Sequence, residues 1–456
     1  MNQRWTLHVE NFARIESADI EIAPLMCFIG DNNSGKSYVM SLLWGILSNS
    51  DLFYRQFKTS STYDKCNQWL SQVIKKKKIV IEDEIEQIYL QWFNELLFDN
   101  KEELVKRIFN NENIDIGKLE LLHFRRLKKL TVDFNRSIKF SVSHIQEIDV
   151  LEYEETDRIG ITLPISSENL DIIYWKSNVF ICWNIIMMGL TDIFPPEGIT
   201  SQAVYLPASR TGFLLARREI VSKSIESLYS LPNYDSIHQE SLTAPYIQFL
   251  QIMNNLKDSD NSYDKKNTPL IEFLQDEILH GSVIVKSNGK IIRYLPDDIE
   301  GKEFSMSITS SVVTEITALL LLLKDKTPLK LIIIEEPEAH LHPALQKKIA
   351  QLLIHFVHSG IPIWITTHSD TILQHFNNMI KLNNRSSERE ELMKEFNYSE
   401  KDLLNPSEIN LYQFERGEKH TTIEKLESGR YGFVGNLFNK AIDELVKEIY
   451  AFQEVE

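Results

Sequence analysis

The sequence is poor in the features that mark secreted or membrane-spanning proteins. It has only three cysteines in 456 residues, and their wide spacing supports neither a disulfide framework nor a zinc site. The longest apolar stretches, 179–190 and 318–323, are shorter than the roughly 20 residues that cross a bilayer. No apolar segment follows the first residues as it would in a secretion signal. We therefore expect a soluble, cytoplasmic protein with no membrane partner.

Positive charge is also scarce. Lys and Arg number 49 against 65 for Asp and Glu, which gives a formal net charge of −16. This balance argues against a surface devoted to nucleic acid, because duplex binding depends on cations that neutralise phosphates. The lysine run at 75–78 is a local exception. A solvated helix end is the favoured interpretation of that run, and a basic groove is the alternative.

The chain shows no internal repeat, and its apolar periodicity predicts an α/β protein. Strand patterns occur at 5–9, 18–22, 25–29, 138–143, 159–165, 204–206, 331–334 and 361–366, with a hairpin at 281–294. Helical patterns occur at 37–47, 179–193, 312–323 and 344–358, over much of 50–130 and 214–280, and after a strand pair in 409–456. Buried strands that alternate with helices favour a mainly parallel sheet.

A phosphate-binding loop is predicted directly after the third strand. Residues 30–37 read Gly-Asp-Asn-Asn-Ser-Gly-Lys-Ser, which fits G-x-x-x-x-G-K-[ST]. The glycines let backbone N–H groups turn towards phosphate oxygens, and the following helix adds its positive end. Lys36 would reach the β- and γ-phosphates, and Ser37 would offer its hydroxyl to Mg²⁺. The nucleotide-binding residues expected here are Gly30, Asn32, Asn33, Ser34, Gly35, Lys36, Ser37 and Tyr38.

Two later strand ends carry the residue types that hydrolysis requires. The apolar run 331–334 ends in Glu335 and Glu336, where the first acid can hold Mg²⁺ through water and the second can polarise the attacking water. Two acids that cap a core strand are the alternative. The strand 363–366 is followed by His368, which could hydrogen-bond the γ-phosphate; a satisfied polar histidine is the alternative there.

The order of these motifs resembles the ABC-type ATPases related to the SMC proteins, their DNA-repair relatives and the OLD family, in the compact branch found in bacterial anti-phage systems. The similar strings are Val9–Ile15, Phe28–Ser37, Ile334–Pro343 and Thr366–Ser369. The resemblance implies a P-loop NTPase of ABC-ATPase head type, with a mixed sheet, an antiparallel lobe and a largely helical insertion. The expected parts are 1–49 and 301–456 for the head, 50–200 for the insertion, and 201–300 for a helical lobe with the hairpin.

The resemblance also implies roles for single residues. Lys36 and Ser37 would belong to Walker A, Glu335 and Glu336 to Walker B, and His368 would be the switch histidine, with His340 to Pro343 as the D-loop. The signature motif is expected at 305–311, although valines 312 and 313 stand where a glycine commonly follows the serine. Its Ser310 and Ser311 would contact the nucleotide of a second copy, or would cap the apolar helix.

The segment Tyr205–Gly212 is similar to one that recurs in the defence branch. Its Arg210 is a candidate contact for a phosphate or a second subunit, and a surface arginine is the alternative.

The favoured function is an ATP- and Mg²⁺-dependent regulatory ATPase of an anti-phage system, similar to the ATPase subunits of Septu (including retron-associated Septu) or of PARIS. It would act as a homo-oligomer of at least two copies, respond to DNA or another phage-derived trigger, and control a separately encoded nuclease. Residues 48–304 show no sustained heptads, which disfavours a DNA-tethering coiled coil. The alternatives are an ATP-dependent DNA-binding or repair protein and, less favoured, a nuclease that works alone.

Overall fold

The computed structural model describes most of the chain. The described residues are 3–49, 52–53, 58–74, 76, 78–126, 129–135, 158–162, 170–187, 203–229, 242–258, 267–325, 329, 331–385, 388–429, 432–433, 446–448, 450 and 452. The strand predicted at 138–143, the end of the helix predicted at 179–193 and most of the final amphipathic helix lie outside these residues. Within them, no helix is long and apolar enough to span a bilayer.

The strands of the described residues largely follow the predicted order. In chain order they are β1 (Gln3–Phe12), β2 (Ile15–Glu21), β3 (Leu25–Gly30), β4 (Lys78–Val80), β5 (Lys118–Arg126), β6 (Thr131–Asn135), β7 (Arg158–Thr162), β8 (Ala203–Leu206), β9 (Gly281–Lys286), β10 (Ile291–Pro296), β11 (Phe304–Ser305), β12 (Leu331–Glu335), β13 (Ile363–Thr366), β14 (Ile409–Arg416) and β15 (Thr421–Leu426).

The described residues also form helices. They are α1 (Lys36–Ser48), α2 (Ser61–Val73), α3 (Asp83–Phe109), α4 (Leu170–Met187), α5 (Arg210–Tyr229), α6 (Ala244–Asn254), α7 (Thr268–Leu274), α8 (Ser311–Lys324), α9 (Pro343–His358), α10 (Asp370–Asn383) and α11 (Arg389–Glu395). A π-helical turn at Gln275–Leu279 follows α7, and short 3-10 turns lie at Met306–Ile308, Glu400–Asp402 and Pro406–Glu408.

In the part of the chain that the structure describes, one nine-stranded mixed sheet organises the fold. Its order is β5-β1-β2-β15-β14-β3-β13-β12-β8, and the five strands from β14 to β8 are parallel. On the other side of β14, the pairs β14–β15, β2–β1 and β1–β5 are antiparallel. A single parallel bridge joins β15 to β2. Two three-stranded sheets, β11-β10-β9 and β4-β6-β7, stand apart. The predicted α/β class with a mixed sheet is confirmed.

The sheet separates two hydrophobic cores, and the period of two in each strand explains how. Successive side chains of a strand point to opposite faces. In β3, Met26 and Phe28 belong to one core, whereas Leu25, Cys27 and Ile29 belong to the other. The same alternation holds in β12 and β13. These strands therefore read as continuous apolar runs because both of their faces are covered.

The region 50–130 contains more strand than its pattern predicted. Helices α2 and α3 are present, but β5 follows them and joins the edge of the main sheet by pairing with β1. Within β5, Leu119 and Leu121 are buried, so the pairing covers an alternating apolar face. The largely helical pattern over 50–130 did not show this strand, because local periodicity cannot show a partner strand more than a hundred residues away. The four-part division of the chain stays a prediction.

Candidate nucleotide site

The loop between β3 and α1 has the backbone of a phosphate cradle. Gly30 has a φ of 130° and Gly35 a φ of 97°, values that side chains on L-residues rarely allow. A Cβ on Gly30 would lie 2.0 Å from the carbonyl oxygen of Phe414 in β14. The helix α1 starts at Lys36 with no side-chain cap on its N-terminus. Its first N–H groups are therefore directed at the loop, where they can bind an anion.

Strand β14 holds this loop in place. The backbone N–H of Asp31 donates to the carbonyl oxygen of Phe414 at 3.2 Å. The Asp31 carboxylate in turn accepts from the backbone N–H of Arg416 at 3.1 Å. These contacts join residues almost 400 positions apart, and they fix the start of the loop from the neighbouring strand. No sequence pattern in the loop itself predicts them.

The lysine of the loop is buried and is held by backbone oxygens. Lys36 Nζ donates to the carbonyl oxygens of Gly30 at 3.0 Å and Asp31 at 2.6 Å. Burial lowers the pKa of Lys36 to about 8, although the nearby carboxylates of Glu336 and Asp31 favour its charge. Ser34 is also buried, and its Oγ has no hydrogen-bond partner among the described residues. An entering phosphate would supply acceptors for both groups.

The other loop residues lie at the surface. Asn32, Asn33 and Ser37 are exposed, so the Ser37 hydroxyl is accessible to a metal ion bound with the nucleotide. Tyr38 is 38% exposed, and one face of its ring stacks on Phe109 of α3 at a centroid distance of 4.9 Å. The loop thus places all of its predicted binding residues at one accessible end of α1.

The parallel strands bring the predicted hydrolytic residues to this same edge. β13 lies between β3 and β12, with Thr366 paired to Phe28 and to Glu335. Just beyond these pairs, the N–H of Glu336 donates to the Thr366 carbonyl oxygen at 2.8 Å, and the N–H of Thr367 donates to that of Phe28 at 2.9 Å. The residues that follow the three strands are therefore neighbours, as the carboxyl ends of parallel strands must be.

The two acids after β12 have different surroundings. The Glu335 side chain is buried, and its Oε2 accepts from the backbone N–H of Ala208 at 3.1 Å. The Glu336 side chain is 43% exposed, and its Oε1 lies 3.9 Å from His368 Nε2. Glu336 also has a φ of 44°, a strained value that the surrounding contacts must hold. A fixed inner acid and an accessible outer acid match the metal-binding and water-activating roles.

His368 is suited to act as a neutral hydrogen-bonding group. Burial lowers the pKa of its imidazole, and the charge of Lys36 lowers it further, while Glu336 opposes both effects. Its backbone N–H donates to Oε1 of Glu338 at 2.6 Å. Burial raises the pKa of Glu338. Glu338 therefore supports the loop at 367–369 that carries His368 (the histidine loop). No motif assigned this role to Glu338, although it lies within the string 334–343.

Arg210 is buried behind the acids and does not reach the surface. It is 2% exposed, and its guanidinium donates to the carbonyl oxygens of Glu335 and Glu336 and is paired with Glu315 of α8. Its donors are directed at the chain itself, so it is not a surface arginine. In this conformation Arg210 supports the site from behind, and a contact with a phosphate or a second subunit stays a prediction.

The predicted signature serines are at the start of α8. Ser310 is the N-cap residue, and its side chain accepts from the Val313 N–H at 3.4 Å. Both Ser310 and Ser311 are exposed, and Ile308 beside them is 71% exposed. The capping interpretation therefore describes Ser310 in this chain. A contact to the nucleotide of a second copy stays a prediction that this geometry allows.

The expected Mg²⁺ would have two protein oxygen donors here. Among the described residues, no group of three His, Cys, Asp or Glu side chains could hold a metal ion by itself. Mg²⁺ at a phosphate loop needs no such cage, because substrate phosphates and water supply most of its ligands. The exposed Ser37 hydroxyl and the fixed Glu335 carboxylate at the same sheet edge fit that donor set.

A glycine-bounded loop with a buried lysine, two acids and a histidine at adjacent parallel strand ends defines a P-loop nucleoside triphosphatase. Residues 6–373 match the family model described as "AAA ATPase domain". This match covers most of the chain, so the protein belongs to that family of ATP-binding ATPases. No curated protein is similar enough to the chain to count as a match.

Solved structures of SMC heads are similar to this chain over most of its length. The SMC head domain from Thermotoga maritima is 11% identical, with 94% of this chain and 100% of that chain covered and a TM-score of 0.35. A structure of the SMC head bound to the C-winged helix domain of ScpA is also 11% identical, with 92% and 97% covered and a TM-score of 0.35.

Proposed function

We propose that the protein is the ATP-hydrolysing regulatory subunit of a bacterial anti-phage system, which pairs with a second copy around ATP and controls a separately encoded nuclease. The observation that carries the ATPase part is the convergence of Lys36, Glu336 and His368 at one edge of the sheet. The defence role is supported by the resemblance of the four motif strings to the compact defence branch.

In the proposed mechanism each residue acts on one part of the nucleotide. The loop N–H groups and Lys36 bind the phosphates. Ser37 and Glu335 would hold Mg²⁺, which would supply positive charge that neutralises the phosphate oxygens. Glu336 orients and polarises the attacking water and accepts its proton. Neutral His368 donates a hydrogen bond to the γ-phosphate, which stabilises charge as the bond to the leaving group breaks.

The proposed pairing uses the exposed start of α8. A helix N-terminus offers unpaired N–H groups to an anion, and here the hydroxyls of Ser310 and Ser311 and the apolar side chain of Ile308 are exposed beside it. A second copy would place these groups against the γ-phosphate held by Lys36. ATP then acts as a ligand that favours the closed pair, and hydrolysis releases it.

The pairing is tested by measuring mass in solution with and without ATP. The Glu336→Gln protein should form a stable dimer, or a larger closed assembly, only when ATP is added. The Lys36→Ala protein, which cannot hold the phosphates, serves as the control and should not respond. A Glu336→Gln protein that stays monomeric at saturating ATP would contradict the pairing.

The defence role is tested in cells that carry the gene with its neighbouring reading frames and are challenged with phage. Protection should require both this gene and a neighbouring nuclease gene. Protection that survives deletion of every neighbour would contradict control of a separate effector.

An ATP-dependent DNA-binding or repair role is the second candidate. Within the lysine run 75–78, the described lysines Lys76 and Lys78 are exposed. If this second function holds, the protein should bind duplex DNA only when ATP is present, and its affinity for DNA should fall steeply with salt. Loss of all four lysines should then remove the binding.

A further inference from the structure

Arg210 and Glu315 form a buried pair of opposite charges behind the two acids. Their side chains are 3% and 1% exposed, and Nε of the arginine lies 2.8 Å from Oε2 of the glutamate. Burial lowers the pKa of Arg210, and the Glu315 carboxylate opposes that effect. Removal of either partner alone would leave an uncompensated buried charge. A pair of this kind adds little stability over apolar residues of the same size. Stability therefore does not explain the pair, and the contacts that it makes with the neighbouring backbone do.

The arginine holds the backbone that carries both acids. Its Nη1 donates to the carbonyl oxygen of Glu335 at 2.8 Å, and its Nη2 donates to that of Glu336 at 3.2 Å. One planar guanidinium thus fixes two consecutive carbonyl groups at the point where the chain takes the positive φ of Glu336. A lysine cannot reproduce this contact, because a single ammonium lacks the rigid fork.

The glutamate connects this support to the start of α8. Glu315 lies about one helical turn after Ser311, and its Oε1 accepts from the Thr211 hydroxyl at 2.6 Å. Its Oε2 meets Arg210 as an ion pair that lacks hydrogen-bond geometry. Exposed His340 also lies near this carboxylate, 3.8 Å from Oε1. The first turn of α5 therefore joins α8 to the end of β12.

We propose that Arg210 is a positioning residue that fixes Glu335 and Glu336 for hydrolysis and couples them, through Glu315, to the start of α8. This inference rests on the proposed hydrolysis of ATP by this site. A movement of α8 on contact with a second copy would reach the two acids through one ion pair. Binding of ATP, which uses the loop 30–37, would not depend on it.

The test compares kcat and KM for Arg210→Lys, Glu315→Gln and the double variant. Each single change should lower kcat by at least about tenfold, which is about 1.4 kcal/mol in the barrier, and leave KM within about threefold. The double variant should be no slower than the slower single variant, because both changes break one connection. Arg217→Lys is the matched control: Arg217 is buried on the same helix and donates to the carbonyl oxygens of Leu214, Gly289 and Lys290, away from the acids.

Three outcomes would overturn the inference. The first is a kcat for Arg210→Lys that falls no further than the kcat for Arg217→Lys. The second is a loss of kcat in the double variant that equals the two single losses combined. The third is a rise in KM with kcat unchanged. Glu315→Gln is nearly isosteric and answers the question if Arg210→Lys does not fold. A wild-type protein that binds ATP without turnover would refute both this inference and the proposed function, whereas the three outcomes leave the ATPase itself intact.

Discussion

The sheet edge that carries the site and the helices α2 to α4 are stabilised in different ways. At the edge, Lys36, Glu335 and Arg210 are buried charges, and Glu336 has a strained backbone. In the helices, the rings of Tyr63, Trp92 and Trp175 meet at centroid distances of 5.2 to 5.3 Å, and a buried ion pair joins Glu86 of α3 to Arg126.

This difference separates function from stability. Buried charge and strain cost free energy and persist where they serve a reaction, whereas close aromatic packing stabilises the fold. Changes at Lys36 and Glu336 should therefore affect turnover more than stability. Changes in the aromatic cluster of α2 to α4 should do the reverse.

The largest effect is expected for Lys36→Ala. The loss of the only loop cation should weaken ATP binding by more than about 100-fold, since a charge-assisted contact to phosphate is among the strongest available. The unfolding midpoint should not fall, because burial disfavours the charge on this lysine. Titration with ATP and denaturant unfolding measure the two quantities. Lys348→Ala, at an exposed pair with Glu277, is the control and should bind ATP as the wild type does. An ATP affinity of Lys36→Ala within tenfold of wild type would contradict the phosphate-binding role of Lys36.

The next effect is expected for Glu336→Gln, which should lower kcat by about 10²–10⁴-fold, as the loss of a general base does. ATP should still bind, because the amide keeps the shape of the side chain and the loop is untouched. Steady-state turnover and nucleotide titration separate the two. Glu424→Gln, at an exposed position of β15, should behave as wild type. Turnover by Glu336→Gln at the wild-type rate would remove this residue from the mechanism.

In α3, Trp92→Ala should lower the free energy of unfolding by about 3–5 kcal/mol, the usual cost of a large buried aromatic. ATP turnover per folded molecule should stay unchanged. Phe98→Ala is the matched control on α3, since its ring is 55% exposed and surface substitutions change stability by about 0.5 kcal/mol or less. The two regions would not be separable if Trp92→Ala lowered kcat in protein that is still folded.

The smallest effect concerns Asp402, a buried carboxylate that, unlike Glu336, is fully satisfied. Burial raises its pKa, but hydrogen bonds from His355, Ser399 and Gln351 outweigh this and leave the pKa well below its usual range. Its contribution is therefore present above the ordinary aspartate pKa of about 3.9 and is lost as pH falls towards the lowered value. Asp402→Asn should cost about 1.5–3 kcal/mol at pH 7 and progressively less below about pH 4.

Denaturant unfolding at several pH values measures this difference for Asp402→Asn. Asp99→Asn removes a partly exposed ion pair with Lys58 and should cost under about 1 kcal/mol. A cost for Asp402→Asn that does not change between pH 7 and pH 3 would show that the carboxylate charge contributes nothing.

The sequence alone predicted the elements whose information is local. The loop 30–37 contains its own glycines, lysine and serine, and the apolar runs before it and before Glu335 show strands that are buried on both faces. Glu336 and His368 follow such strands directly, so their place at the sheet edge follows from the parallel order. For this reason, local patterns were enough to predict the fold class and to bring the candidate site residues to one edge of the sheet.

The tertiary structure alone decided the contacts between distant segments. It showed β14 as the wall of the phosphate loop, β5 as a strand of the main sheet, and Glu338 as the partner of the histidine loop. It also placed Arg210 behind the acids, paired with Glu315, the one acid in the apolar helix α8. That lone acid was the available signal, but its meaning depends on a partner 105 positions away, and periodicity and motif spacing carry no information about such pairs.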